Sequence, residues 1–558
     1  MRNILLKLKM AKDSFSVRFL PLSKQNIHFV SKHHYEEVVK TLNSLQTNAA
    51  LLQEYMNGGQ RSHAEQTKKM EETLKYLSRC GVTLEQLDDL SVIHVSGTKG
   101  KGSTCAFCES ILREQGFKTG FYSSPHLVSV RERIRINGQP LSRQEFVKHF
   151  WSVYNKLDKR KENKLDMPSY FKFLTVMAFN VFLVEKVDVA IIEVGIGGAY
   201  DCTNILRKVQ AVGITSLGLD HTYLLGDRIQ DIAWQKAGIM KPGSIAFTVQ
   251  QSKEALEVLK TRSFERQCPL LMVPPLEAYI WDKNVAELQL SSSVQALNAS
   301  LALQLVNAWL LRRLEPTHMP KLDASNGFVS IPMASGFPVG LNMMQGLKSC
   351  SWPGRTQVIQ KERVIYFLDG AHTAESMEMC VSWFQHLSSS INGCEAPVRV
   401  LLFNATGSRD PTLLLTPLLR CCFDIAIFCP NRVTATVDPT SDQANFIVSL
   451  KQQELKCESN EEAWLRMQQK SPECHHSIAL HSVKTNPQTK LFTCVSEALT
   501  YIETQLADDK TLVQVLVTGT FILSCKQFFL ILSILIRDTI YNLFYATPTQ
   551  IGLMVTMG

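Results

Sequence analysis

The 558-residue sequence has no unbroken apolar run of the roughly 20 residues that a membrane-spanning helix needs. Its nearest approach, residues 521–536, is interrupted by Lys526 and Gln527 and followed by Arg537 and Asp538, so no stable membrane span is expected. A marked excess of one charge is also missing. Lysine and arginine number 59 against 51 aspartates and glutamates, a net charge of +8. Seven basic residues against the single Asp13 fall within residues 1–34, so the body of the chain is not polybasic and nucleic acid is not an expected partner. The fifteen cysteines are odd in number and irregular in spacing. Cys105 and Cys108 form a CxxC with no second pair, and Cys474-His475-His476 stands alone, so neither a zinc site nor a disulfide framework is favoured. No secretory signal is read at the start, no internal repeat is visible, and a reducing compartment fits. What remains, 45% hydrophobic and 20% charged residues, is the composition of a multi-domain globular chain.

Residues 1–34 mix apolar side chains with Arg2, Lys7, Lys9, Lys12, Arg18, Lys24 and Lys32 and the single acid Asp13, the texture of a mitochondrial presequence or of a basic tail, and 1–40 is set apart as that segment. From Tyr35 to Leu90 the apolar spacing is helical, with a break at Asn57-Gly58-Gly59. Ser91–Ser96 reads as a buried strand, Gly97–Thr104 (GTKGKGST) as a glycine-broken turn, Ser103–Gln115 as a helix and Thr119–Ser123 as a second strand. Such a β-loop-α-β unit implies a parallel sheet and an α/β fold. Further strands are expected at Val187–Val194, Ala211–Thr215, Arg399–Phe403, Ile425–Cys429 and Val513–Val517. Periodicity is lost around residues 313–350, where Pro and Gly accumulate, and 336–350 is read as a linker between a domain at 41–335 and one at 351–530. Residues 452–490 read as a polar surface insertion, and 531–558 as an apolar tail.

Chemistry concentrates at the ends of the strands. In Gly97, Thr98, Lys99, Gly100, Lys101, Gly102, Ser103 and Thr104, the order strand, loop, helix aims successive N–H groups and a helix N-terminus at an anion. Lys101 can neutralise β- and γ-phosphate oxygens, and Ser103 or Thr104 can reach a metal. The pattern GxxxxGK[ST] is not met, because Gly102 follows Lys101. Glu193 ends an apolar strand at the sheet edge where open α/β proteins bind ligands, a place suited to magnesium beside nucleotide phosphates. Ser124, with Pro125 and His126, follows the second strand, and Asp220-His221 follows the strand at 211. A turn, a solvating acid or a core histidine would each explain one of these; together they point to a shared site.

These segments, with RERIRING at 131, EVGIGGAYDCTN at 193, LDHTYLLGD at 219, AWQKAGI at 233, WPGR at 352, LDGAHT at 368 and FNATGSRD at 403, resemble the eukaryotic folylpolyglutamate synthases, relatives of the Mur ligases. The resemblance covers about residues 40–450 and resumes at 513–519. It implies a phosphate-loop nucleotide-binding domain with a mostly parallel sheet, followed by a smaller Rossmann-like α/β domain, with ATP between them. The implied activity adds L-glutamate to the γ-carboxylate of a folate through an acyl phosphate. The implied partners are folate and glutamate, with Mg2+ and also K+ as ions, in a monomer of the mitochondrial matrix or cytoplasm.

On the same resemblance Lys101 and the loop amides hold phosphates, Ser124, Glu193 and His221 ligate magnesium, and Lys236 is the lysine that becomes carbamylated. Asn298 and Arg355 lie at the nucleotide, Asp369 and His372 lie near its ribose and phosphates, and Tyr170–Phe173 lies near the folate. The chain departs from the pattern at Val294, where a histidine is usual, and after Gly519, where Thr520-Phe521-Ile522-Leu523 opens a divergent end. The rival readings are a Mur-type ligase acting on another carboxylate, and a catalytically inert isoform that binds nucleotide or folate.

Overall fold

Val92–Ser96 (β1) is buried along its whole length, and so are Thr119–Tyr122 (β2) and Val189–Glu193 (β5). A strand whose successive side chains face opposite ways can be apolar throughout only if both faces of its sheet are covered. In the computed structural model they are. Val92, Tyr122, Ala190, Ile192 and Val212 enter one core, and Ile93, Val95, Phe121, Ile191 and Ala211 enter the other. The structure describes residues 24–46, 63–163, 165–282, 288, 292–315, 331–390, 397–405, 409–435, 438, 440–442, 448–470, 488–507 and 511–520.

The first sheet adds Ile134–Ile136 (β3), Gln139–Pro140 (β4), Ala211–Ile214 (β6), Ile245–Thr248 (β7) and Leu270–Met272 (β8), in the order β4-β3-β2-β5-β1-β6-β7-β8. All neighbours from β2 to β8 are parallel, and β3 and β4 are antiparallel at the edge. The C-terminal ends of β1, β2, β5 and β6 therefore open on one side. Helices Lys101–Glu114 (α1), Tyr170–Glu185 (α2), Ile229–Ala237 (α3) and Ser293–Leu314 (α4) cover the faces. By length and composition α4 could cross a membrane, although no unbroken apolar run announces it. Most of it is buried inside this fold, with Leu301, Leu305 and Trp309 in the core.

The segment at 336–350 is not a linker. Pro338–Val339 (β10) pairs with Ile280–Trp281 (β9), and Leu341–Ser349 (α5) sits against α1 through Met343, Met344 and Leu347. Gly346 comes so close that an added Cβ would lie 2.5 Å from the Cα of Ile111. The glycines and prolines mark the entry to this helix, and their density hid it.

A second sheet holds Gln357–Lys361 (β11), Val364–Leu368 (β12), Val398–Phe403 (β13), Ile425–Phe428 (β14), Gln488–Leu491 (β15) and Val513–Thr518 (β16). Its order is β11-β12-β16-β13-β14-β15, parallel apart from β11. Helix Ala374–Ser390 (α6) covers one face. So does Leu450–Lys470 (α7), which corrects the expectation of a surface insertion at 452–490. Its Cys457, Ala463, Trp464 and Met467 are core residues, presented as a narrow stripe on a mainly polar helix. Residues 471–487, the break at 57–59, the first 23 residues and the tail from 521 lie outside the described residues.

Candidate active site

The loop after β1 can exist only with glycines. Gly97 has φ 150° and packs on Thr215, whose Oγ1 would lie 1.7 Å from an added Cβ. Gly100 has φ 91° and caps α1, so the helix starts at Lys101, two residues earlier than the sequence pattern indicates. Thr98 and Lys99 both donate their N–H groups to the carbonyl of Ser216. Lys101 folds back, its Nζ 3.0 Å from the carbonyl of Gly97. Gly102, the departure from the usual phosphate-loop pattern, has a packing reason: the Trp352 ring would lie 3.0 Å from its Cβ. Ser103 lines the cavity in front of the loop, whereas Thr104 is fully buried, its hydroxyl 3.5 Å from Asn298 Oδ1.

Glu193 stands at the end of β5 with its side chain buried, and the N–H of Ser124 donates to it at 3.0 Å. Burial raises its carboxyl above the usual range, opposed by Lys101 and that N–H. A buried carboxylate is costly without a compensating cation. His221 has a left-handed backbone, φ 52°, and burial lowers its imidazole to about 4, so its ring is neutral and available as a ligand. Ser124, Glu193 and His221 all line one cavity, and this hydroxyl, carboxylate and neutral nitrogen fit magnesium held mainly through phosphates. Among the described residues no cluster of three or more His, Cys, Asp or Glu could hold a metal by itself.

Lys236 does not line the cavity. It projects from α3 beneath the loop and donates from Nζ to the carbonyl of Gly97 at 2.8 Å. Burial first, and then Lys101, lower its pKa well below the ordinary value. Its amine is therefore biased toward the uncharged form that reacts with carbon dioxide.

The opposite wall comes from the second sheet. Asp369 follows β12, and its carboxylate accepts from the N–H of Thr356 at 3.0 Å, with Arg355 beside it. Burial raises this carboxyl above the usual range. His372 is held through Nδ1 by the Gly370 carbonyl, and its Nε2 reaches Asp220 Oδ2 at 3.0 Å. Asp220 also meets Lys99 at 3.6 Å and Arg409 at 3.3 Å. Burial opposes its ionisation, but His372 and Lys99 hold it well below the usual carboxylate range. Lys99 also hydrogen bonds His372, and burial lowers its ammonium to about 7.

A single cavity of about 880 Å³ collects Thr98 to Ser103, Ser124, Glu193, His221, Asn298, Arg355, Asp369 and His372. Gly97, Thr104 and Lys236 stand behind it. Val294 lines it next to Gln295, and so do Tyr170 and Phe171. Sequence reasoning assigned no role to Arg133, Asp201 or Arg409, which line it as well, nor to Asp220 as the group joining both walls. The RERIRING, DCTN and SRD segments carried that signal, since each puts a charge next to a turn.

Such a cavity, closed by a glycine-rich turn from one largely parallel sheet and by an acid, a histidine and an arginine from another, defines a two-domain α/β protein with its candidate site between the two sheets. Mitochondrial folylpolyglutamate synthase of Bos taurus is 47% identical over 492 residues, covering 84% of this chain and 83% of that protein. The Homo sapiens protein of that name is 46% identical over 490 residues, covering 84% and 82%. The chain belongs to the folylpolyglutamate synthase family. In fold it is similar to Mycobacterium tuberculosis folylpolyglutamate synthase complexed with ADP and AMPPCP, with TM-score 0.59 and 21% identity over 84% of this chain and 99% of that one. E. coli FolC in complex with DHPP and ADP gives TM-score 0.57 and 21% identity over 88% and 99%. No protein-family model matches the chain.

Proposed function

We propose that this protein is an ATP-dependent ligase that lengthens folates by joining the α-amine of L-glutamate to their γ-carboxylate. The observation that carries this is the meeting of loop residues 98–103 with Arg355, Asp369 and His372 across one cavity. A carboxylate is a poor electrophile toward an amine. It must first take the γ-phosphoryl group of ATP, releasing ADP; the amine then attacks the acyl phosphate, the C–O bond to phosphate breaks, and the amine loses a proton. The protein's part is to position these groups and neutralise charge. Lys101 and the loop amides hold the phosphates, and Arg355 reaches them from the second domain. Tyr170 and Phe171 offer an aromatic wall to a pterin ring. Magnesium, held by Ser124, Glu193 and His221, would supply neutralisation of the phosphate charge.

Carbamylation of Lys236, potassium as a further ion, a monomeric state and residence in the mitochondrial matrix, the cytoplasm or both complete the reading. The basic residues 1–34 and the relatives described as mitochondrial support the first of these compartments. The inert-isoform reading is not favoured, because the chain matches folylpolyglutamate synthases at 46–47% identity over 84% of its length. Incubation with ATP, magnesium, labelled glutamate and tetrahydrofolate tests the function. Products lengthened by glutamate are expected, and a folate that stays unlengthened would overturn it.

A further inference from the structure

Far from Asp220 in sequence, the two domains meet at a second acid. Asp442, from the segment after β14, lays its side chain against the first domain. Its Oδ1 accepts from Tyr35 Oη at 2.6 Å, from the Val130 N–H at 2.7 Å and from Ser129 Oγ at 3.3 Å. The preceding carbonyl, of Ser441, accepts from Asn43 Nδ2 at 3.1 Å. The surroundings are complementary in charge, since Arg131 and Arg143 lie over the Tyr35 ring. Burial and the neighbouring Asp442 hold the Tyr35 hydroxyl in its protonated, donating form.

The backbone of Asp442 is tied to the cavity as well. Its carbonyl lies 2.9 Å from His126 Nε2, and His126 Nδ1 lies 3.0 Å from Arg133 Nε. A guanidinium can only donate, so Nδ1 accepts and Nε2 carries the proton given to Asp442. The ring is thus a neutral spacer with one fixed tautomer. Beyond it Arg133 lines the cavity and lies over the Tyr170 ring, 5.4 Å from its centre.

Resting on the proposed folate ligase activity, we infer that Asp442 is a positioning residue for the acceptor end of the cavity. Its carboxylate docks on Tyr35, Ser129 and Val130, and its carbonyl holds His126 and, through it, the guanidinium of Arg133 beside Tyr170. Without that docking Arg133 loses its brace, while Lys101 keeps its bond to the Gly97 carbonyl within the first domain and Asp369 keeps its bond from Thr356 within the second. Asp442 therefore governs capture of the folate rather than of the nucleotide.

The experiment is steady-state glutamate incorporation by the full chain, varying tetrahydrofolate and ATP separately. Asp442→Ala should raise KM for tetrahydrofolate about tenfold, the size of one lost charge-assisted hydrogen bond, with KM for ATP changed less than about twofold. Asp442→Asn keeps an acceptor oxygen and should recover most of the loss. His126→Ala should reproduce the Asp442→Ala effect, and combining the two should add little, as expected of residues acting in series. Tyr35→Phe, which removes one donor and leaves the fold's packing intact, should shift the same KM in the same direction. An unchanged folate KM in Asp442→Ala, or equal rises in both KM values, would overturn the inference. A wild-type protein that lengthens no folate would instead overturn the functional reading beneath it.

Discussion

Lys236 Nζ lies 2.8 Å from the carbonyl oxygen of Gly97, under the loop rather than in the cavity. Buried with Lys101 nearby, it is an amine held toward neutrality by the cost of burying charge. A carbamate formed there would add a carboxylate behind the loop. Lys236→Ala should lower kcat by at least about a hundredfold, comparable to removing one transition-state contact. Lys236→Arg, which cannot be carbamylated, should not rescue it. A carbamate signal from labelled bicarbonate in the wild type, missing in Lys236→Arg, would locate the modification by NMR. The same signal in both proteins would place it elsewhere.

Lys101 closes its own loop through the carbonyl of Gly97, so the cation is already held at the turn proposed to take the phosphates. Lys101→Ala should reduce turnover by about 10²- to 10³-fold, the range for a lost electrostatic contact in a preorganised site. Near-normal turnover would remove the phosphate role from this loop.

Glu193 is a carboxylate whose burial is unfavourable until a cation arrives. In Glu193→Gln the metal-free protein should be as stable as the wild type or more so. A ligand at about 100 times its Kd stabilises a fold by about 2.7 kcal/mol, and this gain on adding MgATP should largely vanish in the variant. Thermal unfolding with and without MgATP measures both effects; a preserved MgATP shift would show that the acid is not needed for the metal.

The strands flanking this site were legible because each is apolar on both faces and stops at a glycine or polar turn; β1, β5 and β6 lie within two residues of their expected bounds. The ends of those strands were legible for the same reason, which is why Ser124, Glu193 and His221 could be grouped from the sequence. What stayed hidden depends on distant partners. Asp220 is recognisable as a joint between domains only once His372 and Arg409, 152 and 189 residues away, are folded against it. Helix α7 was hidden differently: Cys457, Asn460, Trp464 and Met467 recur at helical spacing, but Glu458, Glu461, Glu462 and Arg466 between them, with lysines and glutamines on either side, gave the window a polar average.

One buried histidine, His94, and two half-buried ones, His221 and His372, weaken the fold in acid. Burial pushes His94 down to about 3 and both His221 and His372 down to about 4, against an ordinary value near 6.5. The unfolded chain binds more protons in that interval, so stability rises with pH across it. The contribution is complete above about pH 6.5 and is lost as pH falls toward the folded values, at up to about 1.4 kcal/mol per pH unit for each group. Denaturant unfolding should show a lower midpoint at about pH 5 than at about pH 7. His94→Gln, which can keep the bond to Thr203, should flatten this dependence. An unchanged slope in that variant would show that His94 is not among the groups responsible.

The helix at Leu341–Ser349 offers a direct test of how the chain passes between its domains. A linker tolerates an added methyl group; a packed helix does not. Gly346 faces α1 at a point where a Cβ would lie 2.5 Å from the Ile111 Cα and 2.8 Å from its nitrogen, both backbone atoms that cannot swing aside. Gly346→Ala gains about 1 kcal/mol in intrinsic helix propensity, but forced separation of the two helices should cost more, about 1–3 kcal/mol for an overpacked contact. The net effect should be a lower unfolding midpoint. Because α1 begins at the phosphate loop, the same displacement should raise KM for ATP, which a defect confined to a flexible connection would leave untouched. Gly340→Ala, at the N-cap of the same helix where an added Cβ meets nothing within 4 Å, is the control: it should lower the midpoint only by the lost N-cap preference and leave KM for ATP near the wild type.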